Sequence, residues 1–226
     1  MKFLDLVQMA ARESGTVSGN QPSTVVNQTG RLGKFVNWTQ TAWTAIQNRR
    51  NAWRWMQAEF EDDTTAGSAR YTSSSWNLDR WGEWLYGGDL VTLYKVSEGV
   101  SDEGVILYLP WHDYRRTYDR GVQNQDRPLH YAISPDGEFC LGPKPDATYR
   151  VRGMYRKSPQ ALAANDDVPE MPARFHEAIA WHALMLMAEH DEAELHIQTA
   201  NRRFYDIIGT LERDQLPQTI IGGPLA

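Results

Sequence analysis

Hydrophobic periodicity changes twice along this chain, and that double change limits the fold more than any single motif does. Near the N-terminus apolar residues recur at helical spacing. Phe3, Leu4, Leu6, Val7 and Ala10 run up to Gly15, and the polar stretch GTVSGNQPSTVVNQTG follows as a loop. Leu32, Phe35, Val36, Thr39, Trp43 and Ile46 then mark one face of an amphipathic helix of about five turns, ending near Asn51. From there the period drops to two: Met56, Ala58 and Phe60 alternate with Trp55, Gln57 and Glu59, and DDTTAGSA turns the chain back. After Pro172 the helical period returns. Phe175, Ile179, His182, Ala183, Leu186 and Met187 form one stripe. Past the polar HDEAE, Ile197, Ala200, Phe204, Ile207, Ile208 and Leu211 form another. Two helices so close in sequence are expected to pair antiparallel.

An apolar stripe must find an apolar partner, and the terminal helices can cover theirs only against one another. The expected class is therefore α+β: an antiparallel helical bundle from residues 1–52 and 172–213, a central antiparallel β-rich insertion over 53–171, and an extended C-terminal arm over 214–226. Inside the insertion, DLVTLYKV and EGVILYLP read as strands, WHDYRRTYDRG as a short helix ended by Gly121, and LHYAISPDGEFCLGP as a hairpin. FCLGPKPDATYRVRGMYRKSP, residues 139–159, reads as a further hairpin about Gly-Pro-Lys-Pro-Asp. Its second strand carries Tyr149, Val151 and Tyr155 on one face and Arg150, Arg152 and Arg156 on the other.

Chemistry is harder to find. HEAIAWH lacks the H-E-x-x-H of a zinc protease because position 180 is Ala, and no E-x-x-H pair suits a di-iron bundle. No phosphate-cradling glycine motif and no nucleophile elbow occurs, and no Asp follows a Glu at the nine-residue spacing of phage-type lysozymes. No catalytic, cofactor-binding or metal-ligating residue is assigned, and no cofactor is expected. The lone Cys140 provides no intrachain disulfide framework and reads as a small buried hydrophobe. With no run of eighteen apolar residues, a soluble protein made in a reducing cytosol and without a membrane partner is expected.

A net charge of −6 argues against gripping DNA as the main task. Yet three basic clusters stand among aromatics: Arg49, Arg50 and Arg54; Arg115, Arg116 and Arg120; Arg150, Arg152, Arg156 and Lys157. Each can be a protein interface, a solvated face paired to the many carboxylates, or a nucleic-acid stripe. The tail LPQTIIGGPLA is apolar at Leu216, Ile220, Ile221 and Leu225, while its prolines and glycines oppose a helix. It reads as an arm that orders on a partner's surface.

Two long stretches, VNQTGRLGKFVNWTQTAWTAIQNRRNAWRWM at 26–56 and LGPKPDATYRVRGMYRKSPQALAANDDVPEMP at 141–172, together with the helical pair that follows, resemble the head–tail adaptor (head completion) proteins of tailed bacteriophages. The resemblance implies a structural virion protein at the head–tail interface, assembled in the host cytoplasm. It implies a homo-oligomeric ring of neighbouring adaptor subunits, a dodecamer of about twelve copies matched to the portal. DNA would pass through the lumen without specific binding. The C-terminal arm (Leu216, Ile220, Ile221, Leu225) would reach the portal protein. Arg150, Arg152, Tyr155 and Arg156 would contact a neighbouring subunit or the tail or nozzle protein. The alternatives are a virion-associated peptidoglycan hydrolase and a nucleic-acid-binding module.

Overall fold

A computed structural model describes residues 1–15, 21–88 and 90–217, with only the backbone of Leu195 and His196. The described chain is α+β and divides into two units, one made of residues 1–56 and 159–226 and the other of residues 57–158. Each has its own apolar cluster.

The first unit is helical. In α1 (Phe3–Glu13) the apolar stripe Phe3, Leu6, Val7 and Ala10 is fully buried. The Asp5 carboxylate accepts the Lys2 backbone N–H at 2.9 Å, satisfying a donor that a helix start leaves open. Gly15 ends the turn at φ +63°, a conformation that costs glycine least. In α2 (Gly30–Asn48) Phe35, Val36, Ala42, Trp43 and Ile46 face inward. Beyond its end the Trp53 indole N–H donates to the Ile46 carbonyl at 3.0 Å and pins the departing chain.

The fourth helix, α4 (Glu177–His190), touches α1, α2 and the last helix, α5 (Glu194–Gln215). Its buried set is Ala178, Ile179, Ala180, Ala183, Leu184, Met187 and Ala188, which wraps around the axis instead of forming the single stripe the spacing predicts. His182 and Leu186, placed on that stripe, are only half-buried. A helix enclosed by three others is apolar on most sides, and four alanines let neighbours approach closely. Leu162 and Met171 also join this cluster, so residues 159–171, expected with the strands, lie in the helical unit.

In the second unit the strands are β1 (Gln57–Asp63), β2 (Arg70–Tyr71), β3 (Trp81–Leu85), β4 (Thr92–Lys95), β5 (Gly104–Val105), β6 (Leu107–Tyr108), β7 (Gln125–Asp126), β8 (His130–Ile133), β9 (Phe139–Gly142), β10 (Lys144–Pro145) and β11 (Tyr149–Lys157). The helix α3 (Trp111–Tyr118) lies between β6 and β7. The longest strand, β11, is central to one sheet. It pairs β1 along one edge, and β4 then β3 along the other. A second sheet runs β2-β9-β8-β6. Residues 104–109 serve both sheets: Ile106 N–H donates to Val91 at 3.1 Å, while Leu107 and Leu109 donate to Leu129 and Tyr131. Between the layers sits an aromatic cluster in which Phe60 lies 5.2 Å from Trp76 and 5.3 Å from Trp84.

Two expectations fail here. FCLG and YRVRGMYRK do not form a hairpin: β9 pairs β8 and β2 in one sheet, and β11 lies in the other. Every residue of β9 is buried, so it needs an interior place in the second layer, and the Gly-Pro-Lys-Pro-Asp segment carries the chain across. Nor is the β region purely antiparallel, since β10 pairs β7 and β6 pairs β8 in parallel.

Candidate interaction surfaces

The arginine face of β11 is built by register. Alternation buries Tyr149, Val151, Gly153 and Tyr155 and turns Arg150, Arg152 and Arg156 outward. Antiparallel pairing places Asp63 opposite Arg150 and Glu61 opposite Arg152. Arg150 grips Asp63 with two bonds, Nε to Oδ1 at 2.7 Å and Nη2 to Oδ2 at 3.0 Å, and reaches Glu61 at 3.3 Å. Arg152 donates to Glu61 at 2.9 Å and Glu103 at 3.2 Å, with its guanidinium 5.2 Å over the Tyr94 ring. Arg156 pairs with Glu83 at 3.2 Å. Hydrogen bonds from Arg152 and Arg150 hold the Glu61 and Asp63 carboxyls, respectively, below the ordinary carboxylate range.

Three cations here meet four carboxylates, so this face carries no surplus of positive charge for a phosphate backbone. Tyr155 lies behind it, buried, its hydroxyl donating to the Asp79 carbonyl at 3.1 Å. The acidic strand EFEDD was the signal for this pairing, since Glu59, Glu61 and Asp63 fall on one face at period two.

An open cleft of about 510 Å³ runs where β3 and β4 part along β11, lined by Glu59, Phe60, Glu61, Leu90, Thr92, Arg152, Gly153 and Met154. A glycosidase acid needs a carboxyl held protonated. Glu61 is shifted the other way and bound to Arg152. On α3, Arg116 lies 3.3 Å from Asp113 and Arg115 lies 3.9 Å from Asp119, both arginines largely exposed. At the end of α2, Arg49 and Arg50 meet Glu212 of α5.

Single candidates resolve into structure. His176 is buried, with Nε2 2.9 Å from the Met171 carbonyl, and burial holds its imidazole below the ordinary value. His182 stacks on Phe204 at 4.8 Å, and burial lowers it likewise. Cys140 is fully buried in β9, where burial pushes its thiol up to about 12. Among the described residues no three His, Cys, Asp or Glu side chains gather to hold a metal, and no helix is long and apolar enough to cross a membrane. Leu216 follows the end of α5 and is half-buried against the helical core. Ile220, Ile221 and Leu225 lie outside the described residues.

Among the described residues the surfaces thus offer a paired arginine–carboxylate ladder on β11 and open clefts. The sequence matches the model of the SU10 adaptor protein family over residues 1–222. The chain belongs to that family. No curated protein matches it. Membership of the SU10 adaptor family accords with the head–tail adaptor resemblance and makes the chain a structural adaptor of a phage.

Proposed function

We propose that this SU10 adaptor chain docks on the portal ring, continues the DNA channel and presents the surface on which the tail assembles. The family match over residues 1–222 carries the reading. The net charge of −6 supports it, because a net acidic chain has little tendency to grip the DNA that passes it. So does the paired state of Arg150, Arg152 and Arg156, which leaves that face suited to a polar protein contact rather than to phosphate. Around a ring, two different patches on each copy meet, and modest contacts summed over about twelve copies suffice for a stable junction. Arg150, Arg152 and Arg156 enter the subunit or tail contact as members of their ladders, and Tyr155 supports them from beneath. The portal contact falls to the tail. Because Leu216 already packs on the helical core, the docking part begins after it, with Ile220, Ile221 and Leu225 as its apolar anchors.

Purified full-length chain mixed with portal, imaged by electron microscopy, is expected to cap the portal ring with a second ring. A chain lacking residues 218–226 is expected to fold and to leave the portal bare. Absence of any complex with the full-length chain overturns the docking reading, and a complex that survives the deletion overturns the arm.

A further inference from the structure

Five arginines surround the C-terminal end of α5, Arg49 and Arg50 on the side of Glu212 and Arg174 on the side of Asp214, and their charge is only partly answered. Arg49 and Arg50, just past α2, each donate through Nε to Glu212 Oε1 at 3.0 Å. Two residues further along α5, Arg54 donates to the Asp214 carbonyl oxygen at 3.1 Å and Arg174 pairs with the Asp214 carboxylate. Arg213, between them, bonds the Thr210 hydroxyl at 3.2 Å. A guanidinium carries five N–H donors, and each of these five is engaged through one in these contacts. Three positive charges remain over the two carboxylates, in a chain whose net charge is −6.

Beside Arg49 opens a groove of about 300 Å³ between α2, α4 and α5, with Ile46, Met185 and Phe204 among its apolar walls. Tyr205 at its rim is 53% exposed, and the Arg49 guanidinium lies 5.8 Å from that ring. Exposed aromatics set among arginines, next to a small apolar recess, are the composition that protein interfaces favour.

We infer that this face binds an acidic segment of another polypeptide bearing a large apolar side chain. The side chain seats in the groove against Phe204 and Met185, and the flanking carboxylates lie on the surplus arginines. Duplex DNA fits less well: Glu212 and Asp214 stand inside the cluster and would face its phosphates, and an apolar recess offers a sugar–phosphate backbone nothing. A second copy of this chain fits less well too. Its acidic segments are already engaged: Asp191 is held by Arg31 and by His190 at 2.8 Å, Glu61 and Asp63 by Arg152 and Arg150, Asp166 by Lys2, and Asp167 by the Ala163 and Ala164 backbone N–H groups. The inference stands apart from the adaptor reading, since it concerns the helical unit and not the tail beyond Leu216.

The test uses the full chain and three probes: a labelled glutamate–tyrosine copolymer, polyglutamate of equal charge, and a short duplex DNA, each titrated by fluorescence anisotropy at low salt. The copolymer is expected to bind. Arg50→Glu with Arg174→Glu should weaken it at least tenfold, and Arg50→Gln with Arg174→Gln should weaken it less. Tyr205→Ala should weaken the copolymer several-fold while leaving polyglutamate unchanged. Circular dichroism verifies that each variant folds.

Failure of the copolymer to bind, or binding indifferent to the charge reversal, overturns the inference. Duplex binding lost in the same variants assigns the face to nucleic acid instead. Self-association of the parent chain in sedimentation velocity, abolished by the reversal, assigns it to a second copy. None of these outcomes bears on whether the chain caps the portal.

Discussion

Substituting Gly153 by alanine tests whether the aromatic layer dictates the sequence of β11. Phe60 of β1 lies directly opposite Gly153 in the register, and its ring crosses over the glycine. A Cβ added at Gly153 would lie 2.7 Å from Phe60 Cε1 and 2.8 Å from Cζ, about an ångström inside a normal carbon contact, and 3.5 Å from a Val91 methyl. The ring has little room to yield, since Phe60 also meets Trp76 at 5.2 Å, Trp84 at 5.3 Å and Phe139 at 6.1 Å. Overpacking of this kind costs about 1–3 kcal/mol. Glycine's own entropic disadvantage in a strand, about 0.5–1 kcal/mol, works in the opposite direction. The net expectation is a loss of about 1–2 kcal/mol. Hydrogen exchange of the β1 and β11 amides reads this within the unit concerned, as a fall in protection of roughly fivefold to thirtyfold. Phe60→Leu, destabilising alone, should remove the penalty of the alanine, so that the double variant is more stable than the two single losses added together. Unchanged protection in Gly153→Ala, or strictly additive losses, would refute the steric account.

Three further outcomes follow from groups held away from their ordinary protonation. Asp191 is kept well below the carboxylate range by Arg31 first and then by His190. Its contribution is therefore present above the unfolded value near 4 and is lost as pH falls below it. Asp191→Asn should cost about 1 kcal/mol or less at neutral pH and flatten the acid limb of a stability curve, measured by urea titration. His176 and His182 are held below their usual value by burial, so the folded state favours the neutral ring. Stability is full above about pH 6.5 and falls as acid charges the rings, and His176→Phe should reduce that acid slope in thermal melts. Cys140, buried with its thiol near 12, should react with a disulfide reagent only as fast as its unit opens, and a burst of labelling in native buffer would contradict this burial.

Periodicity alone determined the kind of element at nearly every place that mattered. The stripe Phe3, Leu6, Val7 and Ala10 required a helix, and the alternation Tyr149, Val151, Tyr155 against Arg150, Arg152, Arg156 settled which side of β11 is buried. These are local facts, because a side chain's direction follows from its neighbours' φ and ψ. Charge along the chain held a further message. Residues 1–56 carry seven Lys and Arg against two Asp and Glu, and residues 159–226 carry four against eleven. Lys2 with Asp166, Arg31 with Asp191, and Arg49 and Arg50 with Glu212 join those two segments.

Partners were decided elsewhere. Period two states that β11 has an outer face and is silent on whether Phe139 or Phe60 lies beside it. The adjacent run β9 was the natural choice by proximity, yet β9 is buried on both faces and can exist only inside the second layer. The arginine face shows the same division. Three arginines at period two are a basic stripe on paper, and they become a ladder with no positive surplus only because long-range pairing brings Glu61, Asp63, Glu83 and Glu103 to them. Geometry along one strand is carried by the backbone next door, whereas the neighbour across it is chosen by which combination of faces leaves the fewest apolar atoms in water.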